Sequence, residues 1–303
     1  MDDDVHVFKT PSVRARAVEV TLASTLFDLE HSRAAGVRCH TGVKAFDKDF
    51  DVWSSGQTIA IACERRHALS AYLIADHLLA QGFKQTASVY IIALPGTTVL
   101  NEVHNLLHRH VTAFSPSETK VLELLESTQL LQYFDVAGLA ESLSEVSSRL
   151  AHDFEPAKPS KSPALGSILF IQGISSTLSS AQRRSGLVQA LAVLSSVLRT
   201  ITHISRACPS CLVLLELDLE VKTKAAADED SEEIISAFSN LSGRFMRMSP
   251  GGPLGRMLEG AADLLVAVHD ADGKVKGKKR IAEVVKDRQS GQLGTWAFWE
   301  AAD

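Results

Sequence analysis

Hydrophobic and polar positions follow one another along this chain on two length scales. Short, almost unbroken apolar runs occur at 58–63 (TIAIAC), 88–94 (SVYIIAL), 167–173 (SILFIQG) and 211–221 (CLVLLELDLEV). Runs of this length with no polar face predict strands buried on both sides. Between them, apolar residues recur every three or four positions, the spacing of a helix with one buried face. Leu69, Leu73, Ile74, Leu78 and Leu79 predict a helix from His67 to Gln81, and a second covers 98–110. Leu139, Leu143, Val146 and Leu150 predict a third over 137–152, and a long fourth runs from Ala181 to Arg206. QLLQYFDV at 129–136 reads as a further strand, and residues 12–35, with Val18, Val20, Leu22, Leu26 and Leu29, read as an amphipathic helix.

Buried strands alternating with helices imply right-handed crossovers and a doubly wound, mostly parallel α/β sheet. The last three apolar runs, DLLVAVHD, RIAEVVKDR and GTWAFWE, alternate more and are joined by short polar turns. They predict an antiparallel extension of the sheet. EPAKPSKSPALG at 155–166 has three prolines and no periodicity, so it reads as a loop or linker. The expected organisation is an N-terminal helical segment over 1–40 and a core domain over 41–303.

Composition narrows the picture modestly. Hydrophobic residues make up 45% of the 303 positions, enough for a substantial core, and the net charge of -5 gives no global attraction to nucleic acid. Four unevenly spaced cysteines are too few for a disulfide scaffold and suit a reducing compartment. MDDDVHVFK lacks the apolar core of a signal peptide. The apolar stretch from Leu187 to Ile201 is interrupted by Gln189, Ser195, Ser196 and Arg199 and reads as too short and too polar to span a bilayer. The expectation is a soluble intracellular protein.

In an open α/β sheet, ligands bind beyond the carboxyl ends of the strands. The first such turn is Cys63, Glu64, Arg65, Arg66, His67, Ala68, Leu69, Ser70. Its spacing is that of the phosphate-binding pattern G-x-x-x-x-G-K-[ST]. That pattern works because glycines let backbone N–H groups wrap phosphates, a lysine offsets their charge and a hydroxyl meets magnesium. Here Cys63 and Ala68 stand at the glycine positions and Leu69 at the lysine. Ser70 alone keeps the expected chemistry.

The stretch from Thr41 to Gly82 resembles the opening of the RecA-type recombinase core, as found in eukaryotic recombinases and their paralogues. Thr41, Gly42, Asp47 and Glu64 match that family's pattern. ASVYIIALPGTT resembles its second strand, which ends in a water-activating Glu where this chain has Leu94. SILFIQGISSTL resembles its Walker B strand, with Gln172 in place of the magnesium-coordinating Asp. The long helix and fifth strand follow in order, as do PGGPLGRMLEGAADLLVAV and VVKDRQSGQLGTWAFWE, so the similarity spans 40–300. It implies a RecA-like P-loop NTPase fold with degenerate Walker motifs, a pseudo-ATPase with no catalytic residue and no metal. No cofactor is expected beyond the weak ATP binding that backbone groups and Ser70 could supply.

By the same resemblance the chain would be a nuclear subunit assisting recombinational DNA repair, with other recombinase paralogues or a recombinase as partners. Single-stranded DNA would be a further contact, through Arg183 and Arg184 and through the basic turn Lys274, Lys276, Lys278, Lys279 and Arg280. Both groups also read simply as solvated surface. The acidic run Asp228, Glu229, Asp230, Glu232 and Glu233 would repel phosphates. Three other groups read as structural before they read as sites. Cys208-Pro-Ser-Cys211 has redox or half-zinc spacing but lies between a helix end and a strand, with Cys39 and His40 distant in sequence. His104, His108 and His110 crowd a helix end, and Trp296, Phe298 and Trp299 suit a core or a subunit contact. Two other readings remain open: the same scaffold in another assembly, such as the ATP-loop-less subunits of the Elongator complex, which act on transfer RNA, and an enzyme using an unrecognised pocket.

Overall fold

The computed structural model describes residues 37–50, 52–64, 69–82, 88–114, 118–153, 166–223, 244–270, 279–288 and 291–300. Its strands are β1 (Thr58–Cys63), β2 (Val89–Ala93), β3 (Thr128–Gln132), β4 (Ser167–Ile171), β5 (Cys211–Thr223), β6 (Arg244–Ser249), β7 (Leu264–Asp270), β8 (Lys279–Asp287) and β9 (Trp296–Glu300). They form one sheet ordered β3-β2-β4-β5-β1-β7-β8-β9, with β6 pairing off this path to the far half of β5. The first five strands and β7 run parallel, whereas β8, β9 and β6 are antiparallel to their neighbours. The chain therefore has a mixed α/β fold with a mostly parallel sheet and antiparallel C-terminal strands, as its apolar pattern predicts.

β1 sits between β5 and β7 and has all six residues buried. Its alternation divides the core. Ile59, Ile61 and Cys63 enter one apolar layer, and Ala60 and Ala62 enter the other. The first layer is covered by α1 (Lys44–Asp49), α2 (Leu69–Gln81), α3 (Val99–Phe114) and α4 (Glu118–Leu125); the second by α5 (Val136–Asp153), α6 (Ile174–Ser185), α7 (Leu187–Ala207) and α8 (Gly252–Ala261). Two ordinary rules account for this. Side chains on a strand alternate between faces, and parallel strands joined by crossovers bury both.

Single residues decide where the elements stop. The expected strand at 129–136 ends at Gln132, because Asp135 Oδ1 accepts the Gly138 N–H at 2.9 Å and so caps α5, which starts at Val136. The long helix expected from Ala181 is two helices, α6 and α7. Gly186 divides them with φ 83° and ψ 166°, a conformation open to glycine and strained for other residues. α7, at 21 residues, is long and apolar enough to cross a bilayer by length and composition alone. Here Leu194, Val197, Ile201 and Ile204 are buried in the second layer. The amphipathic pattern at 12–35 and the acidic run at 228–233 lie outside the described residues.

Thr41, Gly42 and Asp47, matched to the recombinase pattern, form a local device. Asp47 Oδ1 accepts the Thr41 N–H at 2.7 Å and its hydroxyl at 3.0 Å, while Thr41 Oγ1 accepts the Val43 N–H at 3.1 Å. Gly42 takes φ 69°, and a Cβ there would stand 3.1 Å from Asp76 Oδ1 on α2. Burial raises the Asp76 pKa above the usual 3.8 and the Asp47 charge adds to this, with His40 and His110 acting in the opposite sense.

This gives a pH-dependent prediction. The folded state holds the Asp76 proton more tightly than the unfolded chain does, so stability falls as pH rises from the unfolded-chain value through the raised one. Asp76→Asn is expected to raise Tm at pH 7.5, with the gain shrinking toward zero as the buffer approaches pH ~4. Thermal melts of both proteins across that range check it. A gain of the same size at both ends would refute the electrostatic cause.

Candidate functional site

The parallel strands β1, β2, β4 and β5 all end at one edge of the sheet, and of the sequence-derived candidates Cys63, Glu64, Leu69, Ser70, Leu94 and Gln172 fall there. Beyond β1, the Glu64 N–H donates to the Val268 carbonyl at 3.0 Å, and Glu64 Oε2 accepts the Asp270 N–H at 3.4 Å. The start of the loop is thereby tied to the end of β7. Arg65, Arg66, His67 and Ala68 lie outside the described residues. α2 opens with Leu69 and Ser70, both buried. Leu69 shares the first apolar layer with Ile61, Cys63, Leu73 and Ile74. The side chain at the lysine position is therefore part of the core.

Leu94 packs against Gly173, the residue after Gln172, across the ends of β2 and β4. Ala93 and Leu94 leave β2 where Gln172 and Gly173 leave β4, and a Cβ on Gly173 would lie 2.7 Å from Leu94 Cδ1. Gly173 has φ 86°, so this close approach uses the freedom of a residue without a side chain. The Gln172 N–H donates to the Ile92 carbonyl at 2.9 Å. The Tyr133 hydroxyl donates to the Gln172 carbonyl at 2.8 Å, and burial pushes its phenol pKa up to about 12 against the lowering effect of a bond to Thr177.

The Gln172 side chain, itself buried, bridges two further groups. Its Oε1 accepts the Thr97 hydroxyl at 2.5 Å and its Nε2 donates to Glu216 Oε1 at 2.7 Å. Thr97 Oγ1 in turn accepts the Val99 N–H at 3.3 Å, near the start of α3. Glu216 is a buried carboxylate in the middle of β5, level with Ile61 of β1. A carboxylate taken from water into a sheet interior needs hydrogen bonds to offset its lost hydration. The amide of Gln172 supplies one, and a carboxylate at the same position would instead place two like charges within bonding distance.

For magnesium and a nucleotide triphosphate, these positions offer a poor donor set. Leu69 carries no charge, Leu94 cannot activate water, and the one carbonyl oxygen of Gln172 is already bonded to Thr97. The remaining candidates are dispersed. Arg183 and Arg184 are exposed in the last turn of α6, where cations meet the negative end of the helix dipole. Lys274, Lys276 and Lys278 lie outside the described residues. Lys279 begins β8, and Arg280 Nε lies 3.7 Å from Asp270 Oδ1.

Cys39, Cys63, Cys208 and Cys211 are free and buried. Burial raises the thiol pKa of Cys208 and, more strongly, that of Cys211, on which the charges of Cys208 and Cys39 also act. Cys39, distant in sequence, is thus a spatial neighbour of the pair. Burial with the Asp76 charge pushes Cys39 to about 12, so these thiols are poorly ionised at neutral pH. Among the described residues no group of three or more His, Cys, Asp or Glu could hold a metal ion. The rings of His104 and His108 stand 6.2 Å apart on α3.

Sequence reasoning did not single out Glu216, Thr97 or Tyr133. A signal for the first was present: Glu216 is the first charged residue in CLVLLELDLEV, a run otherwise reading as doubly buried, and a charge there needs a partner.

No protein-family model matches the chain, and no curated protein matches it in sequence. Among solved structures, the crystal structure of the RadB recombinase is similar, with a TM-score of 0.54 and 12% sequence identity over 87% of this chain and 96% of that one. At that identity the likeness is one of architecture, and the architecture of this chain is the RecA-like fold.

Proposed function

We propose that this chain is a non-catalytic RecA-type recombinase paralogue that assists homologous recombination and DNA repair through contacts with partner proteins. The observation that carries the reading is the bridge from Thr97 through Gln172 to Glu216, at the position where an active relative would hold magnesium. Leu69 in the core and Leu94 against Gly173 support it from the two other positions. Three functional parts replaced in order by apolar or neutral side chains leave a scaffold whose useful features are its surfaces. On this reading other recombinase paralogues, or a recombinase itself, supply the ATP chemistry, and the chain acts in the nucleus. Single-stranded DNA would touch Arg183 and Arg184 and the basic residues Lys274, Lys276, Lys278, Lys279 and Arg280, adding a charge-driven contact that weakens with salt.

Three outcomes test this. The purified chain is expected to release no phosphate from ATP, and Leu69→Lys alone is expected to lower Tm without starting hydrolysis, since the base and the metal ligand are still missing. Phosphate release that disappears with Ser70→Ala would overturn the pseudo-ATPase reading. Gln172→Ala is expected to cost about 2 kcal/mol in chemical denaturation, because the Thr97 hydroxyl and Glu216 each lose a buried partner. Affinity purification from cells should recover recombination proteins. Recovery of tRNA-modification subunits in their place would move the scaffold to the other assembly.

A further inference from the structure

Cys208-Pro209-Ser210-Cys211 joins α7 to β5 as a tight turn. The Cys211 N–H donates to the Cys208 carbonyl at 2.8 Å, and Pro209 stands at the second position, where its fixed φ favours such a turn. A turn closed in this way keeps its outer Cα atoms within about 7 Å, and a disulfide needs a separation of about 4.4–6.8 Å. Both thiols are free, and both side chains enter the second apolar layer, on one face of the sheet. The turn is also held from outside. The Cys208 N–H donates to the Ile204 carbonyl at 2.9 Å, the Gly56 N–H to the Cys211 carbonyl at 2.8 Å and the Gly166 N–H to the Ser210 carbonyl at 2.9 Å. Gly56, with φ 74°, comes so close that a Cβ on it would stand 3.1 Å from the Pro209 carbonyl oxygen. Two thiols are thus fixed at bridging separation before any bond forms between them.

We propose that Cys208 and Cys211 are a reversible thiol–disulfide site, closed by exchange with a small-molecule disulfide of the glutathione class. Pro209, at the tip of the turn, is exposed, and Cys208, at 3% exposure, lies nearer solvent than Cys211 at 0%. Cys208 therefore meets the oxidant first. Its thiolate attacks one sulfur of the small disulfide, and the other sulfur leaves and takes up the proton that Cys208 gave. Cys211 then loses its proton and attacks the Cys208 sulfur, and a second small thiol departs with that proton. Two protein thiols are oxidised, and one small disulfide is reduced to two thiols. Closure is slow at neutral pH, because burial and the negative end of the α7 dipole both disfavour the thiolate. The pair stays reduced in a reducing compartment and closes as small disulfides accumulate. Cys39 is the competing partner. Its side chain enters the first apolar layer, and its N–H is fixed on the Trp53 carbonyl at 2.8 Å, so a bridge from it would have to shift the packed turn. The turn lies at the start of β5, across the sheet from the Gln172 bridge at the end of β4. The inference goes beyond the recombination reading and does not rest on it.

The test equilibrates the full, folded chain with oxidised glutathione, then quenches it with acid and alkylates the remaining thiols. Mass spectrometry is expected to show the loss of two hydrogen atoms, carried by a peptide bridged between Cys208 and Cys211, and dithiothreitol should restore both thiols. Cys208→Ser should abolish the bridge. Cys211→Ser should instead trap glutathione on Cys208, and Cys39→Ser should leave the yield of the bridge unchanged. Circular dichroism checks that each variant is folded; should Cys211→Ser unfold the chain, Cys208→Ser and Cys39→Ser still decide between the partners. Closure should run about tenfold faster for each pH unit gained above neutrality, because the thiolate is the attacking species. A rate indifferent to pH overturns the exchange route. An unchanged mass at equilibrium, a glutathione adduct that stays on the unaltered chain without closing, or a bridge to Cys39 each overturns the proposal.

Discussion

A carboxylate buried in the interior of a parallel sheet constrains everything around it. Glu216 lies between β4 and β1, on the first-layer side of β5, with little exposure. Left alone there it would be protonated or would destabilise the fold by several kcal/mol. The amide of Gln172 answers it with an N–H, and because an amide has two ends, its carbonyl must then be answered as well. Thr97 does this and at the same time accepts the Val99 N–H at the head of α3. One buried charge thus fixes the rotamer of a residue on β4, the hydroxyl of a residue after β2 and the first turn of a helix. Tyr133, bonded to the Gln172 carbonyl, extends the same order to the end of β3.

The large-scale fold was legible in the sequence because burial on both faces leaves an unmistakable record. Apart from Thr58 and Ser167 at their first positions, TIAIAC, VYIIA and SILFI carry hydrophobic side chains throughout, and each is buried along its whole length. What escaped was decided by one residue at a time. The division of α6 from α7 depends on Gly186, in a stretch whose apolar spacing continues on both sides of it. The end of β3 depends on Asp135, whose capping role competes with a strand-like run that carries straight on through Tyr133 and Phe134. β6, RFMRMS, mixes charge and methionine because it pairs only with the protruding half of β5, beyond the end of β1.

The site shows the same division. The positions 69, 94 and 172 could be placed at the strand ends because each stands at a fixed distance from an apolar strand. The network that accounts for Gln172 could not, since it joins residues 75 and 44 positions away through side-chain geometry. Leu69 illustrates the point from the other direction. In the sequence it is an absent lysine, and in the fold it is a core residue of α2 with no exposure.

These residues also show how the charge at this end of the sheet is balanced. A site built to hold a triphosphate and a divalent ion places charges where only the ligand can balance them, so the empty site is strained and binding adds stability. Here the balance at the end of β4 is struck inside the chain. The carboxylate of Glu216 has an amide, the amide has a hydroxyl, and Leu94 occupies the space above Gly173. The bridge is therefore coherent only as a set, because each group answers a need that its neighbour creates. A carboxylate at 172 beside Glu216 would place two like charges within bonding distance, so the residues at 172 and 216 constrain each other.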